Sequence, residues 1–314
     1  MNNLSQYRQL TDVHRQLPLF FQPWWLDALC ADWNVALVEN DKDIQAVMPF
    51  QQEKKWGLRL LRHPPLCPYL GPYFFIRSTQ QQKQWGEEER LLTALLAQLP
   101  QYDYCQLTTV PGFENFPAFH QRQFKNSNRL TYLLEVSPSE EELFLQISSR
   151  LRQYIKSAQK SLRIELEQQP DLALFLSWHK NAFEKKGSPY PFSLPLIEKI
   201  VSAAEAHQAS LFQTAFDEQN RPVAMLWTPF DGQKSYHLLA ATAPNSTHNG
   251  ALGLLTWNAI KQAKTRGLKQ YDFEGSMDKG IEAFFRKFGG QRIPYLQFEH
   301  CPSRLWRWKR NLLG

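Results

Sequence analysis

The sequence predicts an α/β protein with mixed sheets, built as two lobes. Three observations carry this reading. The chain has 314 residues, more than one core of ordinary size takes at about 100–200 residues per domain. From residue 137 onward the hydrophobic pattern reads helix, helix, three strands with hairpin character, helix, strand, helix, strand. Strands that are first antiparallel and then joined through helices make a mixed sheet with helices packed on it. The residues before 137 show a sparser version of the same order, so the expected lobes are 1–136 and 137–314.

The first lobe opens with a loop that reads into a short helix from Pro23, a residue well tolerated in a first helical turn. Val35–Glu39 and Ile44–Phe50 flank the polar stretch 40–43 and read as a hairpin. Leu58–Leu61 is a further strand. Residues 64–73, with four prolines and a glycine, exclude regular structure. Residues 87–99 form an amphipathic helix with Leu91, Leu92, Leu95, Leu96 and Leu99 on one side. Asp103–Thr109 and Leu130–Val136 are strands.

Ser139 and Glu142 have capping-box spacing and start a helix running to about Ser161. Asp171–Lys185 and Leu196–His207 are helices separated by a loop holding Pro189, Pro191 and Pro195. Leu211–Phe216 and Pro222–Pro229 make a hairpin, and Ser235–Ala241 is a third strand. Gly250–Thr265 is a helix stopped by Gly267. The strand Gln270–Glu274, the helix Gly280–Phe288 with Gly289 and Gly290 after it, and the strand Ile293–Glu299 complete the lobe.

Composition narrows the function classes. No stretch approaches the ~18 uncharged apolar residues of a membrane span, and the first residues lack the apolar core of a signal peptide, so a cytoplasmic protein is expected. Cys30, Cys67, Cys105 and Cys301 form no CxxC pair, which predicts reduced thiols and no metal site. The net charge of +6 is uneven: residues 1–125 hold 12 Lys/Arg and 12 Asp/Glu, and residues 126–314 hold the other 24 and 18. A basic second half suits an anionic partner, although a pI near 9.0 is also common without one.

Several runs together resemble the Fem family, the peptidoglycan aminoacyltransferases and their relatives. Arg152-Gln-Tyr-Ile-Lys156-Ser-Ala158-Gln-Lys160 is similar to the family's R-x-x-I-R-K-A-x-K helix. Tyr271-Asp-Phe-Glu-Gly275 is similar to its D-F-x-G strand end, and Gly280-Ile-Glu-Ala-Phe284-Phe-Arg-Lys-Phe288-Gly-Gly290 to its G-x-x-x-F-K-x-x-F-G-G helix. The likeness covers about 137–299 well and the first lobe loosely, with motif-bearing residues over 150–299, and is nearest the acetyltransferase-like branch. It implies two tandem lobes of the GNAT (N-acetyltransferase) fold. It also implies transfer of an acetyl, aminoacyl or other acyl group to an amine of a cell-envelope precursor or nucleotide sugar. The donor would be acetyl-coenzyme A, another acyl-coenzyme A or aminoacyl-tRNA, with no tightly bound cofactor. The alternative is a non-catalytic GNAT-like protein that binds RNA or envelope-assembly partners.

Two departures matter. The family's Lys in the last motif falls at Phe285, with Arg286 and Lys287 as the nearest bases. The GNAT loop Q/R-x-x-G-x-G/A, whose N–H groups hold the pyrophosphate of coenzyme A, corresponds to Thr247-His-Asn-Gly250-Ala-Leu252-Gly253, with Leu where a small residue belongs.

Acyl transfer needs a base, oxyanion donors and two substrates held together. Asp272 and Glu274 alternate on a strand end and are the candidate acceptor-orienting or proton-accepting pair, with Tyr236 as a relay. Glu274 is favoured because α/β clefts open at strand ends. Arg152, Lys156 and Lys160, four apart on one helix face, are candidate phosphate contacts for a nucleotide-linked acceptor or tRNA, or else a solvated face. Lys186, in a proline-broken loop, and Arg286 are further substrate-binding candidates. Asn249 and Gly250 are the candidate donor-binding residues. His179, His237 and His248 have no partner pattern and read as structural. The tail Ser303–Gly314 is basic and aromatic without an acid; it either touches a membrane surface or docks Leu305, Trp306 and Leu312 on the first lobe.

Overall fold

The computed structural model describes residues 2–10, 17–40, 43–75 and 80–313, with side chains of the last helix described through Trp308. It contains two compact units, residues 1–130 with 293–314, and residues 131–292.

The first unit begins with α1 (Asn3–Gln9) and α2 (Pro23–Leu29), the latter with Pro23 in its first turn. Its sheet runs in the order β1 (Trp33–Asn40), β2 (Asp43–Lys55), β3 (Leu58–Arg62), β5 (Tyr104–Thr108), β13 (Gln291–His300), with β4 (Tyr73–Phe74) beside β2. The β1–β2 hairpin is the expected one, its turn residues 41–42 lying outside the described residues. Here α3 (Gln81–Ala97) buries Leu91, Leu92, Leu95 and Leu96 on one side, packed with Met48, Phe50, Leu107, Phe119 and Phe298. That stripe is the i, i+3, i+4 pattern of an amphipathic helix. Two shorter elements follow, α4 (Pro117–Gln121) and β6 (Lys125–Glu135), the latter belonging to the second unit from Thr131 onward.

The second unit opens on the expected capping box: Ser139 Oγ accepts the Glu142 N–H and the Glu142 carboxylate accepts the Ser139 N–H. The single helix expected over 139–161 is instead two, α5 (Glu140–Gln146) and α6 (Ser149–Ser161). Ile147 and Ser148 are extended because Ile147 is buried and the Ser148 N–H is drawn to Lys287 O at 2.8 Å. Packing thus overrides a run with continuous helical propensity. Next come β7 (Arg163–Glu167), α7 (Leu172–Glu184) and α8 (Leu194–Ala206). The hairpin β8 (Phe212–Phe216) and β9 (Pro222–Trp227) follows.

The third strand of this lobe divides. Its first half, β10 (Lys234–Tyr236), pairs parallel with β12 (Gln270–Asp272), which in turn pairs with β6. Its second half, β11 (Leu239–Thr242), pairs antiparallel with β9, giving a second sheet in the order β11-β9-β8-β7. The hinge is His237, whose N–H donates to Asp272 O at 2.8 Å, the last bond before the paths part. The remaining helices are α9 (Ala251–Thr265), stopped by Gly267 with φ +73°, and α10 (Lys279–Phe285). The helix expected over 280–288 thus ends at Phe285 and continues as one 3₁₀ turn to Phe288, with Gly289 at φ +84° closing it. Among the described residues no helix is long and apolar enough to cross a membrane.

Candidate functional site

The parting of β11 from β12 opens a wedge in the second unit. A cavity of about 350 Å³ fills it, walled by Leu238, Ala240, Leu252, Phe273, Ile281 and Phe284 and carrying the polar groups of His179, His237, Glu274 and Ser276. No Lys or Arg is among its described lining residues.

Glu274 is the unusual member. The strand expected to reach it ends at Asp272, and Glu274 and Gly275 both turn into the left-handed region, at φ +56° and +66°. For glutamate this backbone costs on the order of 1–2 kcal/mol, strain of the kind stored at functional sites. Asp272 holds the turn: its Oδ1 accepts the Glu274 N–H at 2.8 Å and the Thr131 hydroxyl at 2.7 Å. The Glu274 residue keeps some accessible surface, but its Oε1 has none and meets no hydrogen-bond partner among the described residues. The atom, not the residue average, decides the charge energetics, and an unpaired carboxylate oxygen without water is costly. Burial first, and the Asp272 charge second, hold the Glu274 carboxyl well above the ordinary carboxylate range.

Two imidazoles share the cavity. His237 is buried, its Nδ1 2.9 Å from the Tyr271 hydroxyl, and burial lowers its pKa to about 3. His179 sits among Phe175, Phe183, Tyr190 and Phe192, its Nδ1 3.1 Å from the Tyr190 hydroxyl, and burial lowers its pKa to about 4. Both are therefore neutral near pH 7 and offer hydrogen-bonding nitrogens rather than charge. Neither was selected from sequence, because their hydrogen-bond partners lie 11 and 34 residues away in the chain; the local signal at His179 is its aromatic neighbours Phe175 and Phe183, four residues to either side.

Leu252 also lines a second cavity of about 370 Å³ at the start of α9, bounded by Lys185, Asn181, Thr242 and the loop through Asn249. No side chain caps α9 and the Ala251 N–H donates to His248 O at 3.1 Å, so what the helix start adds beside this cavity is the positive end of its dipole. Polar loop, Lys185 and helix start together fit an anionic ligand.

The wedge between parting strands, with a loop and helix start beside it, is matched by sequence. Residues 146–286 fit the model of the acetyltransferase (GNAT) domain. This part of the chain is a GNAT-type acetyltransferase domain. The match supports an acyltransferase. Solved structures extend the likeness of fold. FemX is 14% identical with a TM-score of 0.69, covering 98% of this chain and 98% of that one. The C-terminal domain of a putative lysylphosphatidylglycerol synthetase from Agrobacterium fabrum is 8% identical with a TM-score of 0.57, covering 98% and 96%. A tandem GNAT protein from the clavulanic acid biosynthesis pathway is 7% identical with a TM-score of 0.52, covering 86% and 84%. The expected mixed α/β architecture of tandem GNAT-like lobes is thus the observed one. No curated protein sequence matches the chain.

Within the GNAT domain the residues singled out from sequence separate into groups. Asp272 and Glu274 lie together, but as a buried support and a cavity carboxyl rather than as two alternating strand residues. Tyr236 is fully buried, donates its hydroxyl to Asp231 at 2.6 Å and is not among the cavity-lining residues. Arg152, Lys156 and Lys160 lie on α6, off both cavities, with the Lys156 ammonium 5.8 Å from the Phe144 ring. Lys186 pairs with Asp278, the N-cap of α10, at 2.8 Å, and Arg286 faces Glu282 at 3.8 Å. Asn249 is exposed at the second cavity. Gly250 is buried against α6: a Cβ there would stand 2.3 Å from Tyr154 O. That contact accounts for the glycine without a ligand.

Proposed function

We propose that the GNAT domain transfers an acyl group from an acyl-coenzyme A to an amine held at Glu274. The observation that carries this is the Glu274 carboxyl on the wedge lining, whose Oε1 is buried with no hydrogen-bond partner among the described residues. An amine is the complement of such a group: it donates a hydrogen bond and, when protonated, hands over a proton. Lys185, Asn249 and the start of α9 hold the phosphates of the donor, and the thioester end reaches the wedge past Leu252, which lines both cavities. A protonated amine first loses one proton to solvent by way of Glu274, and the neutral nitrogen then attacks the thioester carbonyl. The N–C bond forms, the nitrogen gives its second proton to Glu274, the C–S bond breaks, and that proton passes from Glu274 to the thiolate. His179 and His237, both neutral, are placed to hydrogen-bond the acceptor without competing for its proton.

The absence of Lys and Arg from the described lining leaves the wedge to an amine on an uncharged or cationic group. A nucleotide-linked or lipid-linked acceptor would keep its phosphates outside it. An envelope acceptor is supported by FemX and the lysylphosphatidylglycerol synthetase domain sharing this fold.

The test is a donor panel of acetyl-coenzyme A, longer acyl-coenzyme A species and charged tRNA. Thermal stabilisation and product formation are measured with primary amines. A coenzyme A donor that raises Tm with concentration and is consumed with amide formation is the expected result. Salt-sensitive tRNA binding with no response to any coenzyme A species would replace this reading with the RNA-binding one.

The pH dependence follows from the same pair. Because the Glu274 carboxyl lies above its ordinary range, the basic form is gained only as pH rises through that raised value, so kcat/KM climbs with pH. Asp272→Asn removes a like charge, which lowers the Glu274 pKa and moves the ascending limb to lower pH. A limb that stays in place in the variant refutes the coupling.

A further inference from the structure

The basic aromatic tail is a sequence motif that the acyl-transfer site does not absorb. It forms α11 (Arg304–Leu313), in the first unit. Trp306 is its anchor, 5% exposed and packed with Leu58, Leu60 and Tyr104, with the Arg62 guanidinium 5.1 Å over its ring. This is the docking expected for Trp306. Leu305 does not share it, and the side chain of Leu312 lies outside the described residues.

With Trp306 turned inward, Leu305 and Trp308, three residues apart on the helix, stay 48% and 61% exposed. Arg304 and Arg307 are exposed beside them. Trp56, in the turn between β2 and β3, is 49% exposed, and its ring lies 5.8 Å from that of Trp306. Lys54 and Lys55 flank it, the Lys55 ammonium 4.9 Å from the Trp56 ring. Two carboxylates on or beside the adjoining strands differ in standing: Asp103 is paired with Arg59, and Glu53 is half-buried on β2.

Three large apolar side chains and four cations are therefore exposed on α11 and the β2–β3 turn, two elements that meet at the contact of Trp56 with Trp306. Such clusters on soluble proteins mark contact surfaces. Tryptophan rings and long cationic stems are the chemistry that settles at the boundary between headgroups and acyl chains. A basic amphipathic helix lies in that plane with its apolar face inward. Single-stranded nucleic acid is the weaker match, since it stacks bases on free aromatic faces, and here Trp56 already meets Lys55 and the Trp306 ring while Leu305 offers a base nothing.

We propose that α11 and the β2–β3 turn form a peripheral docking surface for anionic phospholipid membranes, with Trp308, Leu305 and Trp56 entering the interface and Arg304, Arg307, Lys54 and Lys55 meeting the headgroups. The surface is independent of Glu274 and of the acyl-transfer reading.

The test is co-sedimentation of the full chain with vesicles of phosphatidylcholine alone and of phosphatidylcholine with phosphatidylglycerol. Binding to the anionic vesicles only, weakening with salt, is expected. Leu305→Ser with Trp308→Ser lowers the partition coefficient at least tenfold. Arg304→Gln with Arg307→Gln lowers it about 25-fold, about fivefold per charge. Both pairs are exposed, so melting temperatures close to the parent's confirm folded protein. Equal binding to neutral vesicles, no loss in the Leu305/Trp308 variant, or tRNA binding without vesicle binding each overturns the proposal.

Discussion

Replacing Glu274 by Gln lowers kcat/KM for acyl transfer by about 10²–10⁴-fold, the range a positioned acid–base group supplies, while the protein stays folded. The substitution keeps size and shape and removes only the ability to take a proton. Stability moves the other way. A carboxyl whose folded pKa is raised favours folding while protonated and opposes it as pH rises through that value. Glu274→Gln removes this penalty, so the variant melts higher than the parent above the raised pKa and alike at acid pH. Steady-state kinetics and melting curves on one preparation check both. Lost activity with lower stability would mean that Glu274 supports the fold rather than the reaction. Unchanged activity in a folded variant would take Glu274 out of the chemistry.

Much of this architecture was legible in the sequence, because it rests on local rules. Ser139 and Glu142 announce a helix start, Gly267 a helix stop, and the β8–β9 hairpin its polar turn. Glu274 could be read as a carboxyl near a strand end. What could not be read depends on contacts distant in sequence. Nothing in the residues around His237 shows that one run of strand serves two sheets, yet that exchange makes the wedge. His179 and His237 acquire meaning only from Tyr190, Phe192 and Tyr271, which the fold brings to them. The spacing of Arg152, Lys156 and Lys160 defines a helix face but not what the face meets. Glycine at 250, read from sequence as donor-binding, belongs with these, since close backbone approach to a ligand and to another helix leave one signature.

The structure separates those two causes and makes the second large prediction. Gly250 has φ −102°, so alanine meets no backbone penalty there, and any cost is steric. An added Cβ would lie 2.3 Å from Tyr154 O, 2.8 Å from its carbonyl carbon and 3.0 Å from Ala158 Cβ. Two of these are backbone atoms inside α6 that cannot rotate away, so α6 and α9 must move apart. Gly250→Ala is expected to destabilise the GNAT domain by about 3 kcal/mol, the upper part of the overpacking range. Melting would fall by roughly 2–4 °C for each kcal/mol. Gly253→Ala is the control on the same helix: its Cβ would meet Leu151 Cδ1 at 2.9 Å, the end of a flexible side chain. The gain in helix propensity of up to ~1 kcal/mol offsets that contact and leaves stability nearly unchanged. Asn249→Ala, at an exposed position lining the second cavity, leaves melting unchanged and raises KM for the donor if the start of α9 holds it. A strong fall in Tm for Gly250→Ala with none for Gly253→Ala assigns this glycine to the helix contact. Equal, small effects would mean that α6 and α9 yield readily, and the glycine would then have to be explained by what binds beside it.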